Sequence, residues 1–451
     1  MQTRPKPCGV RVAGASPESS MIAGQAMRST LVPIVSLLLS TFLMMVGAGL
    51  SGVVLPVRGA LEGWSIYEIG LLGTGYAVAF TLGCFVAPGI VRRAGHVRAF
   101  TALVAFLAIC ALLHGLIVHP LVWILIRGAS GFALAGAFMI IESWLNERVT
   151  NESRGLVFSL YMVATMGAVM TGQFVMPFTD PLLTTPFMLC GIAFAAAVIP
   201  TAMSRQAHPK PLTEVRLDLR AIFATSPAAA VGVIMGGVME GAWNNMAPVF
   251  GNAVGYDRAR ISTLLVATMA GGILLQFPLG RLSDRIDRRL VMSAAGFLCA
   301  ALALTAAMMA SRDPATIFLT AFLMGGLVYP VYSLAVAHAN DMVESSDFVK
   351  TAGGLLILYG IGTMFGPMLA AGLMQTRGPH GLFLAIAGCS FVMAVFSLFR
   401  MSRRQGPPPA PESFATMPLA RAQTPGSLVL DPRAEASPEA APEAGDAPPQ
   451  G

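Results

Sequence analysis

Twelve runs of mostly apolar residues, each about 20 long, follow one another along this chain, and water cannot be the solvent for all of them. They lie near 31–55, 66–91, 98–118, 120–143, 155–177, 182–203, 226–250, 261–282, 289–310, 315–339, 350–374 and 380–400, broken at charge clusters and Pro/Gly turns. Each is long enough to cross a bilayer as an α-helix, and too long and too free of alternation for a barrel strand. Only 12% of the 451 residues are charged, where a soluble domain carries about 25%. Mean hydropathy is +0.69. A shell so poor in charge cannot cover so large a core in water. The expected class is an all-α integral membrane protein with twelve transmembrane helices.

The connections set the orientation. If the N-terminus is cytoplasmic, the inner loops hold Arg92, Arg93, Arg98, Arg148, Arg154, Arg205, Lys210, Arg216, Arg220, Arg281, Arg285, Arg288, Arg289 and Lys350. The outer loops then hold only Arg58, Arg258, Arg260, Arg312 and Arg377. Positive charge near helix ends stays inside, so both termini are expected in the cytoplasm of a multi-pass inner-membrane protein. An even helix count requires the same result. Residues 1–27 are polar, with Arg4, Lys6 and Arg11, and lack the short apolar core of a signal peptide. They read as a cytoplasmic leader. Residues 205–225 carry mixed charge and divide two six-helix bundles, 28–204 and 226–404. Residues 405–451, rich in Pro, Ala and Glu, read as a disordered cytoplasmic tail.

The two bundles echo each other. Pro88-Gly89-Ile90-Val91-Arg92-Arg93 follows the second run, and Gly280-Arg281-Leu282-Ser283-Asp284-Arg285-Ile286-Asp287-Arg288-Arg289 stands at the matching place in the second half. Gly167 and Gly172-Gln173 in the fifth run match Gly362 and Gly366-Pro367 in the eleventh. Parallel repeats of this kind are a transporter architecture. The pattern Gly280, Asp284, Arg285, Arg288, Arg289 resembles the loop signature of the major facilitator superfamily. The first-half copy is degenerate, with Pro88 and Arg92 where the family has Gly and Asp, and Asp287 replaces a usual Gly. Arg127-x-x-x-Gly131 is similar to the family's fourth-helix motif. Glu142-Ser143, Arg154-Gly155, Tyr161-Met162, Gln276-Phe277-Pro278-Leu279 and Tyr329-Pro330-Val331 resemble the YcaD-like group within it. The resemblance covers residues from about 30 to 400 and implies two bundles that rock about a central cavity; it names no solute.

Polar residues inside the runs mark candidate chemistry. Glu240, with Trp243 and Asn244 at i+3 and i+4, shares a helix face with them. It lies roughly 21 Å from the inner end of the seventh run, near or beyond the midplane. A carboxylate at that depth suits reversible protonation, while the ring and amides suit a polar solute; a static interhelical bond is the bland alternative. Arg127 stands about six residues inside the fourth run, where an arginine costs at least about 2.5–3.5 kcal/mol to insert. It is expected to face a cavity, unless it snorkels outward. Tyr329, Tyr332, Gln276 and Gln173 complete a mildly polar candidate cavity. In the loops, Asp284 and Arg285 are expected to form a gating latch with Asp341 or Glu344, and Arg92 and Arg93 to pair with Glu142 or Glu147. Plain positive-inside anchoring is the alternative, but Asp284 adds nothing to anchoring.

The missing motifs narrow the function. No Walker motif, defensible catalytic triad, CxxC or Cys/His ligand spacing occurs, so no enzyme, metal or cofactor is expected. The arginines fall between apolar runs rather than in one patch, so nucleic acid is not an expected partner. A small solute, protons and the lipid bilayer are. The expected function is secondary active transport by alternating access by a monomer, with proton coupling. The alternatives are a non-transporting sensor or scaffold on the same fold, or a drug efflux antiporter; Gln173 stands where proton-exchanging drug exporters of the superfamily have Gly-Pro, which weakens the latter.

Overall fold

The computed structural model describes residues 17–148, 154–203, 219–309, 314–343, 347–403 and Thr424. Fourteen α-helices carry the described chain: α1 (Pro17–Leu61), α2 (Ile66–Ala94), α3 (His96–Leu116), α4 (Pro120–Arg148), α5 (Arg154–Val175), α6 (Thr185–Met203), α7 (Leu219–Thr225), α8 (Pro227–Ala253), α9 (Arg258–Arg285), α10 (Arg288–Met309), α11 (Pro314–Val328), α12 (Pro330–Asn340), α13 (Phe348–Arg377) and α14 (Gly381–Arg403). Among the described residues eleven spans are long and apolar enough to cross a membrane, and the pair α7 and α8 makes a twelfth when counted as one. They match the twelve apolar runs in order.

Three local differences have local causes. The first helix begins at Pro17, so it runs back into the stretch read as a polar leader. The seventh span has a 115° break between α7 and α8. Pro227 opens α8 there, at the first helical position, where a missing N–H is tolerated. The tenth run is one span made of α11 and α12, interrupted at Tyr329 before Pro330. Proline removes the N–H that would continue the ladder. Residues 204–218 of the central loop, Glu344 and all of the tail except Thr424 lie outside the described residues.

The helices form two six-helix bundles with one repeated packing plan. Helix α1 packs on α5 and α6, α2 on α4, and α3 on α6. In the second half α8 packs on α13 and α14, α9 on α11, and α10 on α14. The paired glycines noticed in the sequence explain the first of these contacts. A Cβ on Gly172 of α5 would overlap the backbone of α1 at Val46 and Leu50, and one on Gly362 of α13 would overlap α8 at Ile234 and Val238. Without side chains the backbones approach closely, which replaces the hydrophobic drive that lipid withholds from helix association. Outward faces carry residues such as Leu116, Val163, Met203 and Met308, all at least 70% exposed, the surface hydrocarbon requires.

Gly362→Val should therefore destabilise the protein by about 1–3 kcal/mol. Gly388→Val is the control, because a Cβ there meets nothing within 4 Å. Thermal unfolding in detergent should show a lowered midpoint for the first variant and an unchanged one for the second.

Candidate functional site

A cavity of about 1220 Å³, its open mouth included, lies between the bundles. Its walls come from α1, α2, α4 and α5 on one side and α8, α9 and α13 on the other. Each bundle contributes one charge. Arg127 comes from α4 and Glu240 from α8. Both belong there for the same physical reason: an ionisable group within a span is far cheaper facing a polar cavity than facing lipid.

Arg127 is turned inward. Its guanidinium lies 4.2 Å from the centre of the Tyr76 ring, a cation–π contact, and its Nη1 donates to Ser51 Oγ at 3.3 Å. It also lines a smaller void between α1, α3, α4 and α6. Glu240 is 3% exposed. It lines the main cavity and, behind it, a second small void shared with Trp243 and Tyr329. Asn244 lines the main cavity, its amide donating to the Glu240 carbonyl at 2.9 Å. Its Oδ1 accepts from the Tyr329 hydroxyl at 3.4 Å. Gln173 lines the same cavity from α5.

Among the sequence-derived candidates, Glu240, Asn244, Arg127 and Gln173 thus share the main cavity. Trp243 and Tyr329 sit one layer behind. Trp243 packs 6.0 Å from the Phe383 ring in the second bundle's core. Tyr332 reaches the cavity only through Tyr359, whose ring is 5.5 Å away and which does line it. Gln276 is placed elsewhere. Its Nε2 donates to Ser333 Oγ at 3.1 Å, buried between α9 and α12. Asn245, the second amide beside Glu240, also lines the cavity, as do Thr81 and Thr363, which sequence reasoning passed over. Asn245 stands beside Asn244, but its other neighbour is the bare backbone of Gly73 on α2, a relation invisible in a linear reading.

The cavity is closed at one end. Arg258, at the start of α9, donates to the Thr179 carbonyl and stands 3.6 Å from Asp180. Ser262 donates to Met176 Sδ at 3.6 Å, and Thr74 of α2 donates to the Met364 carbonyl of α13 at 2.8 Å. Each of these contacts joins one bundle to the other.

At the opposite end of α9 lies the Gly280–Arg289 loop. Arg288, not Arg285, is the hub the structure draws. It pairs with Asp284 at 3.1 Å and with Asp341 at 2.7 Å, and donates to Ser283 Oγ at 2.9 Å. Gly280 supplies the carbonyl that accepts from Ser283. Asp287, where the superfamily pattern has Gly, caps α10 through the Arg289 N–H at 2.9 Å and grips the Arg289 guanidinium at 2.7 Å. Partial burial works to raise the Asp287 carboxyl, but the hydrogen bonds and charge of Arg289 win and hold it below the usual range. These pairs tie the ends of α9, α10 and α12 within the second bundle. In the first bundle Arg92 and Arg93 are exposed at the end of α2. Glu142 is fully buried and accepts from the Tyr161 hydroxyl at 3.0 Å and from the hydroxyl of Thr424.

Comparison with known proteins agrees with this architecture. The chain is 26% identical over 385 residues to an uncharacterized MFS-type transporter, YcaD, of Escherichia coli, covering 84% of this chain and 97% of that one. A Shigella sonnei YcaD is likewise 26% identical, over 383 residues. Among solved structures, the nucleoside transporter NupG superposes with a TM-score of 0.69 at 14% identity, covering 82% of this chain and all of that one. A bacterial homologue of the lysosomal transporter Spinster, inward-facing and occupied, gives 0.65 at 15% identity, covering 86% and 98%. The family model of the Major Facilitator Superfamily matches residues 37–257 and 228–432. With its two packed bundles and the cavity between them, the chain belongs to the major facilitator superfamily of membrane transporters.

Proposed function

We propose that this chain is a secondary active transporter of the bacterial inner membrane that moves a small solute by alternating access, with a proton carried on Glu240. The observation that carries the reading is that Arg127 of one bundle and Glu240 of the other line a single cavity closed at one end. A site built half from each bundle changes shape whenever the bundles rock. The inverse also holds, since a ligand that prefers one arrangement shifts the population toward it.

The loop charges supply the orientation. Positive-inside placement puts the Arg288 end in the cytoplasm together with both termini, so the closed Arg258 end faces outward and the arrangement is inward-facing. The bundles run over 28–204 and 226–404, joined by 205–225. Arg258 on Thr179 and Asp180 is then the outer gate. Arg288, holding Asp284 and Asp341, keeps three helix ends of the second bundle together, so that the bundle turns as a body. A buried arginine of this kind needs both partners, because removing one leaves charge uncompensated.

Two outcomes follow. Candidate solutes added to everted vesicles should set protons moving with the wild type, and Glu240→Gln should reduce that movement at least about ten-fold while solute binding survives. Proton movement of wild-type size in Glu240→Gln would remove Glu240 as the carrier. Asp284→Asn should lower uptake by about three- to ten-fold by loosening the helix ends that Arg288 holds together, with membrane expression unchanged. Undiminished uptake would count against the loop cluster.

A further inference from the structure

We infer that the ligand of the central cavity is a small organic monoanion with an apolar body and a hydrogen-bond donor, bound together with one proton. The inference deepens the transport reading and takes the same cavity as its site. Three features of the walls carry it.

The first is charge. Arg127 and Glu240 are the cavity's one cation and one acid among the described residues. Empty, with Glu240 ionised, the cavity is neutral. A carboxylate arriving opposite ionised Glu240 would leave a net negative charge walled by protein and hydrocarbon, where charges are poorly screened. Protonation of Glu240 restores neutrality. A cation facing Arg127 would leave the opposite imbalance, and no protonation of Glu240 corrects it. A neutral solute leaves the balance alone and gives Glu240 no reason to titrate. The anion is the charge type whose entry is linked to that proton. No covalent bond changes: the proton moves from water to the Glu240 carboxylate, and the anion takes its place opposite the guanidinium.

The second feature is shape and polarity at Arg127. The guanidinium is held against Tyr76 at 4.2 Å and steadied by Ser51. A planar fork fixed in this way matches a carboxylate edge to edge.

The third is the hydrogen-bonding character of the other polar walls. Asn244 and Asn245 donate their amide nitrogens to the carbonyls of Glu240 and Gly241, at 2.9 and 2.8 Å. A carbonyl only accepts, so in both residues the nitrogen must face the helix and the amide oxygen is the outward end. Gln173 is 4% exposed, and its Oε1 finds no donor within the described chain. Asn244 Oδ1 already takes the Tyr329 hydroxyl, so Asn245 Oδ1 and Gln173 Oε1 are the acceptors presented to a ligand, which satisfies them with a hydroxyl or N–H. The remaining walls include Phe80, Leu134, Leu265, Leu356 and Ile357, which suit a ring or a short aliphatic body.

A matched set of probes tests this: 4-hydroxyphenylacetate, its neutral amide, tyramine and tyrosine share a ring and a hydroxyl and differ in charge. Binding to the full-length purified protein is measured by thermal shift and by calorimetry in buffers of different ionisation enthalpy. The acid should bind best and take up close to one proton per ligand. As the pH rises its affinity should weaken by up to about ten-fold per unit, as linked uptake of one proton requires. Glu240→Gln should bind the acid at high pH as tightly as the wild type does at low pH, with the pH dependence gone. Arg127→Gln should weaken the acid at least about ten-fold, and Arg127→Lys less, since an ammonium keeps the charge without the fork; melting without ligand verifies that both variants fold.

Tighter binding of tyramine, tyrosine or the amide overturns the proposal, as does acid binding indifferent to pH or to Arg127. Failure of all four to bind at millimolar concentration overturns it too. The transport reading is scored separately in proteoliposomes. Glu240-dependent uptake of a member other than the acid keeps transport and removes the anion. Acid binding with proton uptake but no movement across the membrane keeps the site and removes transport.

Discussion

A guanidinium and a carboxylate held inside a membrane protein dictate much of the rest of this structure. Neither can face lipid without a cost of several kcal/mol, so the fold must supply a polar interior, and a cavity between two bundles is where both charges are placed. Arg127 is anchored by Tyr76 and Ser51, and Glu240 is set on the opposite wall beside Asn244. The glycine contacts that join α1 to α5 and α8 to α13 hold the cavity-lining helices of each bundle close together. The core of each bundle is therefore a support for two charges as much as an apolar cluster in its own right.

The two ends of the molecule differ in kind. At the Arg258 end the bundles are joined to each other through backbone carbonyls and one longer ion pair. Side-chain donors on backbone carbonyls of this sort are individually modest and exchangeable for water, as a reversible gate requires. At the Arg288 end the ion pairs stay within one bundle and join buried guanidiniums, Arg288 6% exposed and Arg289 3%, to partly buried carboxylates. These pairs hold helix ends in register, and their burial makes them costly to break. A rocking body needs both kinds of contact: a weak one between the parts and a strong one inside each.

Most of the fold was legible in the sequence because hydrocarbon permits so few solutions. Twelve long apolar runs leave helices as the only way to satisfy every backbone group. The breaks at Pro227 and Pro330 were less legible, since a proline inside a run marks a site of bending without giving its angle. Within the site, charge was the readable signal: Arg127 and Glu240 stand out against apolar neighbours and both reach the cavity. Gln276 stands out equally, yet faces Ser333, because periodicity tells which face a residue occupies and not what lies opposite. Thr363, whose hydroxyl donates to its own helix at Gly360, carries no signal of that kind at all. The hub role of Arg288 over Arg285 depends on the turn between α9 and α10, where Asp287 takes Arg289 and leaves Arg288 directed at Asp341.

Under the proposed alternating access the two ends move oppositely, and paired distance measurements read that motion without requiring the solute. Spin labels at Leu182 and Arg260 report the Arg258 end, and labels at Arg93 and Arg285 the Arg288 end; all four positions are exposed. Across a range of pH that protonates Glu240, pulsed dipolar spectroscopy should show one distance lengthen as the other shortens, with Glu240→Gln locked in a single distribution. Distances that stay fixed, or that widen together at both ends, would contradict a pair of bundles rocking about a shared charged cavity.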